Sequence, residues 1–272
     1  MRKKISKKAS LVSVIIPAYK QEKTILKDLI RIEGVLKQLR NPFEIIVVVD
    51  GTLDKTLQNA KKAKSKSVSV FSYETNKGKG YAIRYGIVRA KGDIIGFIDS
   101  GMDINPNGLS MLLEHFEWYN ADVIIGSKRH PVSKVNYPFN RRIISFLSQI
   151  YIRLFFGLNV RDTQTGLKFF RRQVIQDVMP RLLVKRFAFD IEILAVAHYL
   201  GYKRIFEAPV ELHFNLKRST LSKSLYTALF NTLWDTLAIF YRLKIIHYYD
   251  KKNKKKWKYD HELTFKPLPS YK

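Results

Sequence analysis

A doubly wound α/β fold, with a mostly parallel sheet covered on both faces, is what this sequence predicts, and three observations carry the prediction. Unbroken apolar, β-branched runs recur through the first half of the chain, and such runs suit strands buried on both faces. Stretches of helical period separate them, the alternation expected of a parallel sheet. Acidic and glycine residues gather just past the strands, where open α/β sheets bind their ligands.

Along the chain, LVSVII (11–16) reads as the first strand. Ile25, Leu29, Ile32, Leu36 and Leu39 follow at spacings of 4, 3, 4 and 3, one face of a helix, which Asn41-Pro42 stops. FEIIVVV (43–49) is the second strand. VSVFS (68–72) is a short third one, ahead of a Gly-rich turn at Asn76–Gly80 and another helix. DIIGFID (93–99), a helix from about Pro106, and DVIIG (122–126) complete the alternation.

The 272 residues are 46% hydrophobic and 26% charged, enough to bury a core and too apolar for a disordered or fibrous chain. Cysteine is absent, which excludes disulfide scaffolds, thiolate metal sites and cysteine catalysis. Basic residues outnumber acidic ones 49 to 23, a net charge of +26. Five of the first eight residues are basic, and six lysines fall between Lys251 and Lys258. Such a field suits nucleic acid, an anionic membrane or a phosphorylated substrate. Nucleic-acid binding calls for basic residues interleaved with aromatics on one surface. These sit at the tails instead, so no nucleic-acid partner is expected.

The basic start and the following LVSVIIPAY lack a small-residue cleavage site and meet Lys20, Gln21 and Glu22, so they read as a strand behind a basic arm rather than a signal peptide. No stretch reaches the ~20 apolar residues of a spanning helix. The expected organisation is a basic arm (1–10), the α/β domain (11–223), an amphipathic interfacial helix region (224–249) and a basic tail (250–272).

Three strand ends carry candidate chemistry. The first is Pro17-Ala18-Tyr19 with Glu22. The second runs from Asp50 to Thr56, and its Asp54 can simply cap the next helix. The third is Asp99-Ser100-Gly101-Met102-Asp103, where two carboxylates four apart beyond a strand can converge on one hard cation such as Mg²⁺ or Mn²⁺.

With VSVIIPAYKQE, VVVDGTLDKT, NKGKGYAIRYGIVRAKGDIIGFIDSGMD, GSKR and DTQTGLKFFRR in this order, the chain from about residue 11 to about 223 resembles the family 2 glycosyltransferases of GT-A fold. Within them it looks like the branch that transfers sugars to polyprenyl (dolichyl or undecaprenyl) phosphate. The resemblance implies a Rossmann-like nucleotide-sugar domain, an NDP-sugar donor of the UDP-glucose or GDP-mannose type, a divalent metal and inverting transfer of a hexose. Pro17, Ala18, Tyr19 and Glu22 match the first nucleotide-contacting block. The second block usually carries two adjacent acids; Val49 takes the first place here, leaving Asp50. Lys79, in the Asn-Lys-Gly-Lys-Gly turn, is placed to face donor phosphates.

Asp99 matches the first acid of the family's Asp-x-Asp metal motif, while Gly101 replaces the second. Asp99 and Asp103 are therefore expected to hold the ion with donor diphosphate oxygens, Ser100 lying between them on the donor side. The departure leaves open a metal-independent enzyme or an inactive, membrane-docked binding protein. Gly126-Ser127-Lys128-Arg129 resembles the family's Gly-Ser-Arg turn. Asp162, Gln164, Gly166 and Lys168 match Asp-x-x-x-Gly-x-Lys, and Phe187 to Glu192 resembles the segment that places acids beside the acceptor. Arg218-Ser219-Thr220 and Ser222-Lys223 both align with a later Ser-Lys element.

A phosphate acceptor is already an oxyanion, so it needs cations more than a base; Lys128, Arg129, Arg141 and Lys168 are the candidates, with Arg142 next. A hydroxyl acceptor would instead need Asp190 or Glu192 as general base. Ser224, Thr227, Asn231, Asp235, Ala238 and Arg242 make one narrow, mostly polar helical stripe amid Leu225, Leu229, Phe230, Leu233, Trp234, Leu237, Phe240 and Tyr241. Arg141 to Val160 is a second apolar candidate. Both can lie in a headgroup layer, or bury these faces in the protein or a dimer. Peripheral attachment at the cytoplasmic face of a membrane is expected, with the basic tails drawn to anionic lipid.

Overall fold

The computed structural model describes residues 9–135, 149–212, 223–258 and 260–265. Strands β1 (Val12–Ala18), β2 (Phe43–Asp50), β3 (Val68–Tyr73), β4 (Ile94–Ile98) and β5 (Val123–Ser127) alternate with helices α1 (Ile25–Leu36), α2 (Thr56–Ala60), α3 (Lys79–Ile87) and α4 (Gly108–Trp118). The short β6 (Lys134–Val135), helix α5 (149–156), β7 (Leu167–Arg171), α6 (Arg172–Val178), α7 (Phe189–Tyr199), β8 (Ile205–Pro209), β9 (Glu211–Leu212) and α8 (Lys223–Phe240) follow.

Seven strands form one sheet in the order β3-β2-β1-β4-β7-β5-β8. All neighbours run parallel except at β7, which pairs antiparallel with both β4 and β5. The continuous apolar runs have the expected cause. In β2, Ile45, Val47 and Val49 enter the layer formed with α1 and α4, while Ile46 and Val48 enter the layer formed with α3 and α7. A strand covered on both sides has no polar face to alternate with. Removing one such side chain, as in Ile15→Ala, costs about 2–5 kcal/mol.

The carboxyl ends of β1, β2 and β4 lie side by side at one sheet edge, which fixes where a ligand can be held. At the far end of the chain, Ile239, Leu243, Tyr248, Tyr249 and Trp257 join the α3–α7 layer. Trp257 packs against the Arg181 guanidinium at 4.2 Å, and Leu263 is buried as well. The basic tail is thus tied to the body through Leu263. Arg141, Arg142 and the Ser-Lys alternatives up to Ser222 lie outside the described residues.

Candidate active site

A cavity of about 520 Å³ opens at the carboxyl ends of β1, β2 and β4. Pro17, Ala18 and Tyr19 line it from β1, Asp50 from β2, Gly78 and Lys79 from the start of α3, and Asp99, Ser100 and Asp103 from beyond β4. Gln21, Asn76, Arg186 and Phe187 complete the wall. Because α3 starts at this wall, its macrodipole favours an anion in the cavity.

Asp50 shapes one side. Its carboxylate accepts hydrogen bonds from the Tyr73 hydroxyl (2.9 Å), the Asn76 amide (2.9 Å) and the backbone N–H groups of Lys77 (2.7 Å) and Gly78 (3.0 Å). The single acid left in the second block therefore folds the Asn76–Gly80 turn around itself. Gly78 adopts φ +99°, and a Cβ there would meet the Lys185 carbonyl oxygen at 2.6 Å, so only glycine fits.

The centre of the site is a chain of four charges. Lys79 Nζ lies 2.8 Å from Asp99 Oδ1, 2.9 Å from Asp99 Oδ2 and 3.3 Å from Asp190 Oδ2. Beneath it, Lys168 Nζ donates to Asp190 Oδ1 at 2.5 Å and to the Thr165 carbonyl at 2.5 Å. Burial works against the ammonium of Lys79, but Asp190 and Asp99 outweigh it and hold the group above the usual lysine range. Burial alone would lift Asp190, but Lys168 and Lys79 hold it below the usual carboxylate range. Lys168 is pushed below the ordinary lysine value by its own burial, which Asp190 offsets only in part.

Asp99 is seated by the loop matched as Asp-x-x-x-Gly-x-Lys. Its backbone N–H donates to the Gly166 carbonyl at 2.8 Å. A Cβ on Gly166 would sit 1.9 Å from Asp99 Oδ2, so the glycine is a cradle for the carboxylate. Asp162 organises the loop by accepting from the Gln164 N–H (3.1 Å), the Thr165 hydroxyl and the Lys128 N–H (3.1 Å).

A divalent cation fits here on one observation. Asp99 Oδ1 is paired with the Lys79 ammonium at 2.8 Å, and a carboxylate oxygen carries a second lone pair that a further cation can take. Asp99 and Asp103 both line the cavity, and among the described residues no cluster of three or more His, Cys, Asp or Glu side chains forms a complete metal site. A metal would thus need ligand oxygens in addition. Gly101 has φ +96° and Met102 φ +61°, so the backbone after β4 turns through a left-handed pair. The Gly101 N–H donates to the buried Asp28 of α1 at 3.1 Å.

Several sequence expectations are corrected. Lys168 is fully buried and neutralised by Asp190, so it cannot receive an acceptor phosphate. Asp190 is 2% exposed and paired with both the Lys79 and Lys168 ammonium groups, an arrangement unsuited to the general-base role expected of it. Glu192 is fully buried away from the cavity, accepting from the Leu183 and Val184 N–H groups (3.0 and 2.8 Å) and from the Tyr249 hydroxyl (2.8 Å), with Arg242 at 3.7 Å. It fastens the C-terminal segment. Glu22 lies outside the cavity lining, where its carboxylate accepts from the Lys55 N–H at 3.3 Å ahead of α2. Asp54 accepts from the Thr56 N–H at 2.9 Å, the helix-start role open to it from the sequence. Lys128 and Arg129 stand on the turn after β5 and do not line the cavity.

Sequence reasoning missed Gln21, Asn76, Arg186 and the supporting Asp28. Arg186 carries the clearest signal, since it directly precedes the Phe187–Glu192 block.

The Glycosyl transferase family 2 profile matches residues 13–179. A dolichyl-phosphate beta-glucosyltransferase of Drosophila melanogaster is 33% identical over 205 residues, covering 70% of this chain and 63% of that protein. An undecaprenyl-phosphate mannosyltransferase of Micrococcus luteus is 30% identical over 207 residues, covering 73% of this chain and 82% of its own. Among solved structures, a glucosyl-3-phosphoglycerate synthase from Mycobacterium tuberculosis, in complex with Mn²⁺, UDP and phosphoglyceric acid, is similar at 19% identity with a TM-score of 0.64, over 85% of this chain and 78% of that one. That likeness is one of fold. The chain spans 63% of the length of the Dictyostelium discoideum and Drosophila dolichyl-phosphate beta-glucosyltransferases. With the profile spanning most of the parallel sheet and the cavity at its carboxyl edge, the chain belongs to glycosyl transferase family 2.

Proposed function

We propose that this protein transfers a hexose from a nucleoside diphosphate sugar to a polyprenyl phosphate. The observation that carries the reading is the meeting of Lys79, Asp99, Ser100 and Asp103 in one cavity at the start of α3, with Arg186 at its wall. Relatives named for transfer to dolichyl and undecaprenyl phosphate support the acceptor class.

In this reading Pro17, Ala18, Tyr19 and Asn76 enclose the nucleotide, and Lys79 with the N-terminus of α3 receives the diphosphate. Asp99 and Asp103 would hold Mg²⁺ or Mn²⁺, which supplies charge neutralisation to the departing diphosphate. Asp190 and Lys168 keep the Lys79 ammonium aimed at the cavity. An acceptor phosphate oxygen bonds to the anomeric carbon as the bond from that carbon to the diphosphate breaks. The electron pair leaves with the nucleoside diphosphate, and in-line geometry inverts the anomeric configuration. No proton has to be removed from the nucleophile, which agrees with the burial of both Asp190 and Glu192. Arg186 takes the cationic acceptor role expected of Lys168.

The lipid part rests on α8 and α5. Phe155 of α5 packs on Phe240 of α8 at 4.8 Å, so the two helices touch there. Ile239 and Leu243 face the core, whereas Phe230, Leu233, Trp234, Leu237 and Tyr241 are exposed at helical spacing. Ile150 and Leu154 are exposed on the same outer side of α5 by the helical wheel. Both helices thus carry exposed apolar side chains together with an exposed cation, Arg153 on α5 and Lys244 just past α8. No helix among the described residues is long and apolar enough to cross a membrane. These side chains fit the headgroup layer, where each added lysine or arginine contributes about 1 kcal/mol.

The test is incubation of the purified chain with a panel of nucleoside diphosphate sugars, Mg²⁺ or Mn²⁺ and short polyprenyl phosphates, with the glycolipid measured by mass. Product from one donor that disappears on omitting the lipid phosphate supports the reading. Failure of every donor, with no metal-dependent nucleotide binding, sinks it. In vesicle flotation the chain should float with anionic lipid at low salt, and indifference to anionic lipid defeats the docking part.

A further inference from the structure

Arg84 lies on α3, on the far side of the helix start from the donor cavity. It is 5% exposed, and its Nε has no hydrogen-bond partner. Among the described residues no carboxylate forms an ion pair with it. Glu192, one of the acids whose field it feels, is already engaged by Leu183, Val184 and Tyr249. A buried guanidinium without an acceptor is an anomaly, because its desolvation is normally offset by a paired anion.

Arg84 lines a second cavity of about 290 Å³, closed on one side by α6 and on the other by the C-terminal segment. Gln176, Lys258, Asp260 and Thr264 provide the other polar groups of the lining. Asp260 spends Oδ1 on the Glu262 N–H at 3.0 Å, and its carbonyl accepts from the Thr264 hydroxyl at 3.0 Å. Two cations therefore face one partly committed carboxylate. The space is little more than half that of the donor cavity, suited to a compact anion rather than a nucleotide.

We propose that this cavity binds a phosphate-type oxyanion, free or carried on a lipid headgroup, between the Arg84 guanidinium and the Lys258 ammonium. Arginine meets such an anion with two parallel N–H donors. The ligand would also fasten the tail to α3. Two residues past Asp260, Glu262 already accepts from Tyr81 (2.6 Å) and Lys77 (3.0 Å), on the turn that Asp50 folds.

The test is thermal unfolding of the full chain with inorganic phosphate and, in a separate arm, with a water-soluble short-chain phosphatidate, against chloride at equal ionic strength. Phosphate at about ten times its dissociation constant should raise the midpoint by about 3 °C. That shift should be lost in Lys258→Ala, on an exposed position, and in Arg84→Gln, and kept in Lys79→Ala. A shift with phosphatidate alone, lost in the same two variants, assigns the headgroup as the source. No shift in either arm, or one lost in Lys79→Ala and kept in Lys258→Ala, overturns the proposal.

Discussion

Asp190 and Glu192 stand two residues apart at the start of α7, both buried, and their surroundings drive them in opposite directions. Asp190 faces the donor cavity side and is gripped by two lysines, which hold it below the ordinary carboxylate value despite its burial. Glu192 faces the C-terminal segment, where burial outweighs Arg242, two backbone N–H groups and the Tyr249 hydroxyl and pushes it up. A buried carboxylate therefore does not declare its task by burial alone; the partners decide it. One is paired with the Lys79 ammonium at the cavity wall, and the other joins the tail to the core.

The sharpest way to break this contrast is to remove Lys168. Lys168→Met leaves Asp190 with Lys79 alone and should destabilise the fold by about 3–5 kcal/mol in urea unfolding. Adding Asp190→Asn to it should restore much of that loss, since an uncompensated buried charge costs more than an absent pair. Single variants costing under about 1 kcal/mol would show that the buried chain of charges is not formed.

Next in size is Gly166→Ala. The new Cβ would have to share space with Asp99 Oδ2, so the carboxylate must swing away. The expected result is a fall of about 100-fold in kcat/KM for sugar transfer, the scale of an ångström-sized misplacement. Unchanged kinetics would mean that Asp99 does not act from its observed position.

A smaller effect separates the two acids by pH. The raised Glu192 lets the unfolded chain release that proton first, so its contribution to stability falls as pH rises through the ordinary value of 4.5 toward the folded one, then levels off. Asp190 behaves oppositely: its contribution is full above 3.8 and is lost as pH falls through its lower folded value. Glu192→Gln should remove the decline above pH 4.5 from a series of urea midpoints, and a decline that persists would assign it to other groups. Tyr249→Phe, which deletes one hydrogen bond to Glu192, should cost about 1 kcal/mol.

The smallest effect in solution belongs to the outer face of α8. Trp234→Ser should move stability by under about 0.5 kcal/mol, because the side chain is exposed, yet weaken vesicle flotation. Flotation equal to the parent chain would detach that face from lipid.

The sequence made the outline of the sheet readable because β1, β2, β4 and β5 are covered on both sides, and their apolar runs have no other use. It did not reveal that β7 slips antiparallel between β4 and β5, since strand partners are chosen by distant segments. Asp99 was recognisable from its place after a strand. Lys168 and Glu192 were misread for one reason: a charged side chain reads as solvated until its partner, 22 residues away for Lys168 and 57 for Tyr249 with Glu192, is brought alongside. Arg186 went unnoticed because it stands just ahead of the Phe187–Glu192 block rather than inside it, and its only signal is that adjacency.

The left-handed corner at Gly101 and Met102 has a consequence for engineering. An acidic side chain reinstated at 101 would inherit a φ of +96°, a conformation that costs an ordinary L-residue about 1–3 kcal/mol. Gly101→Asp, which would rebuild the Asp-x-Asp spacing, therefore carries a backbone cost that the corner itself imposes, and relieving it requires reshaping the turn that Asp28 holds.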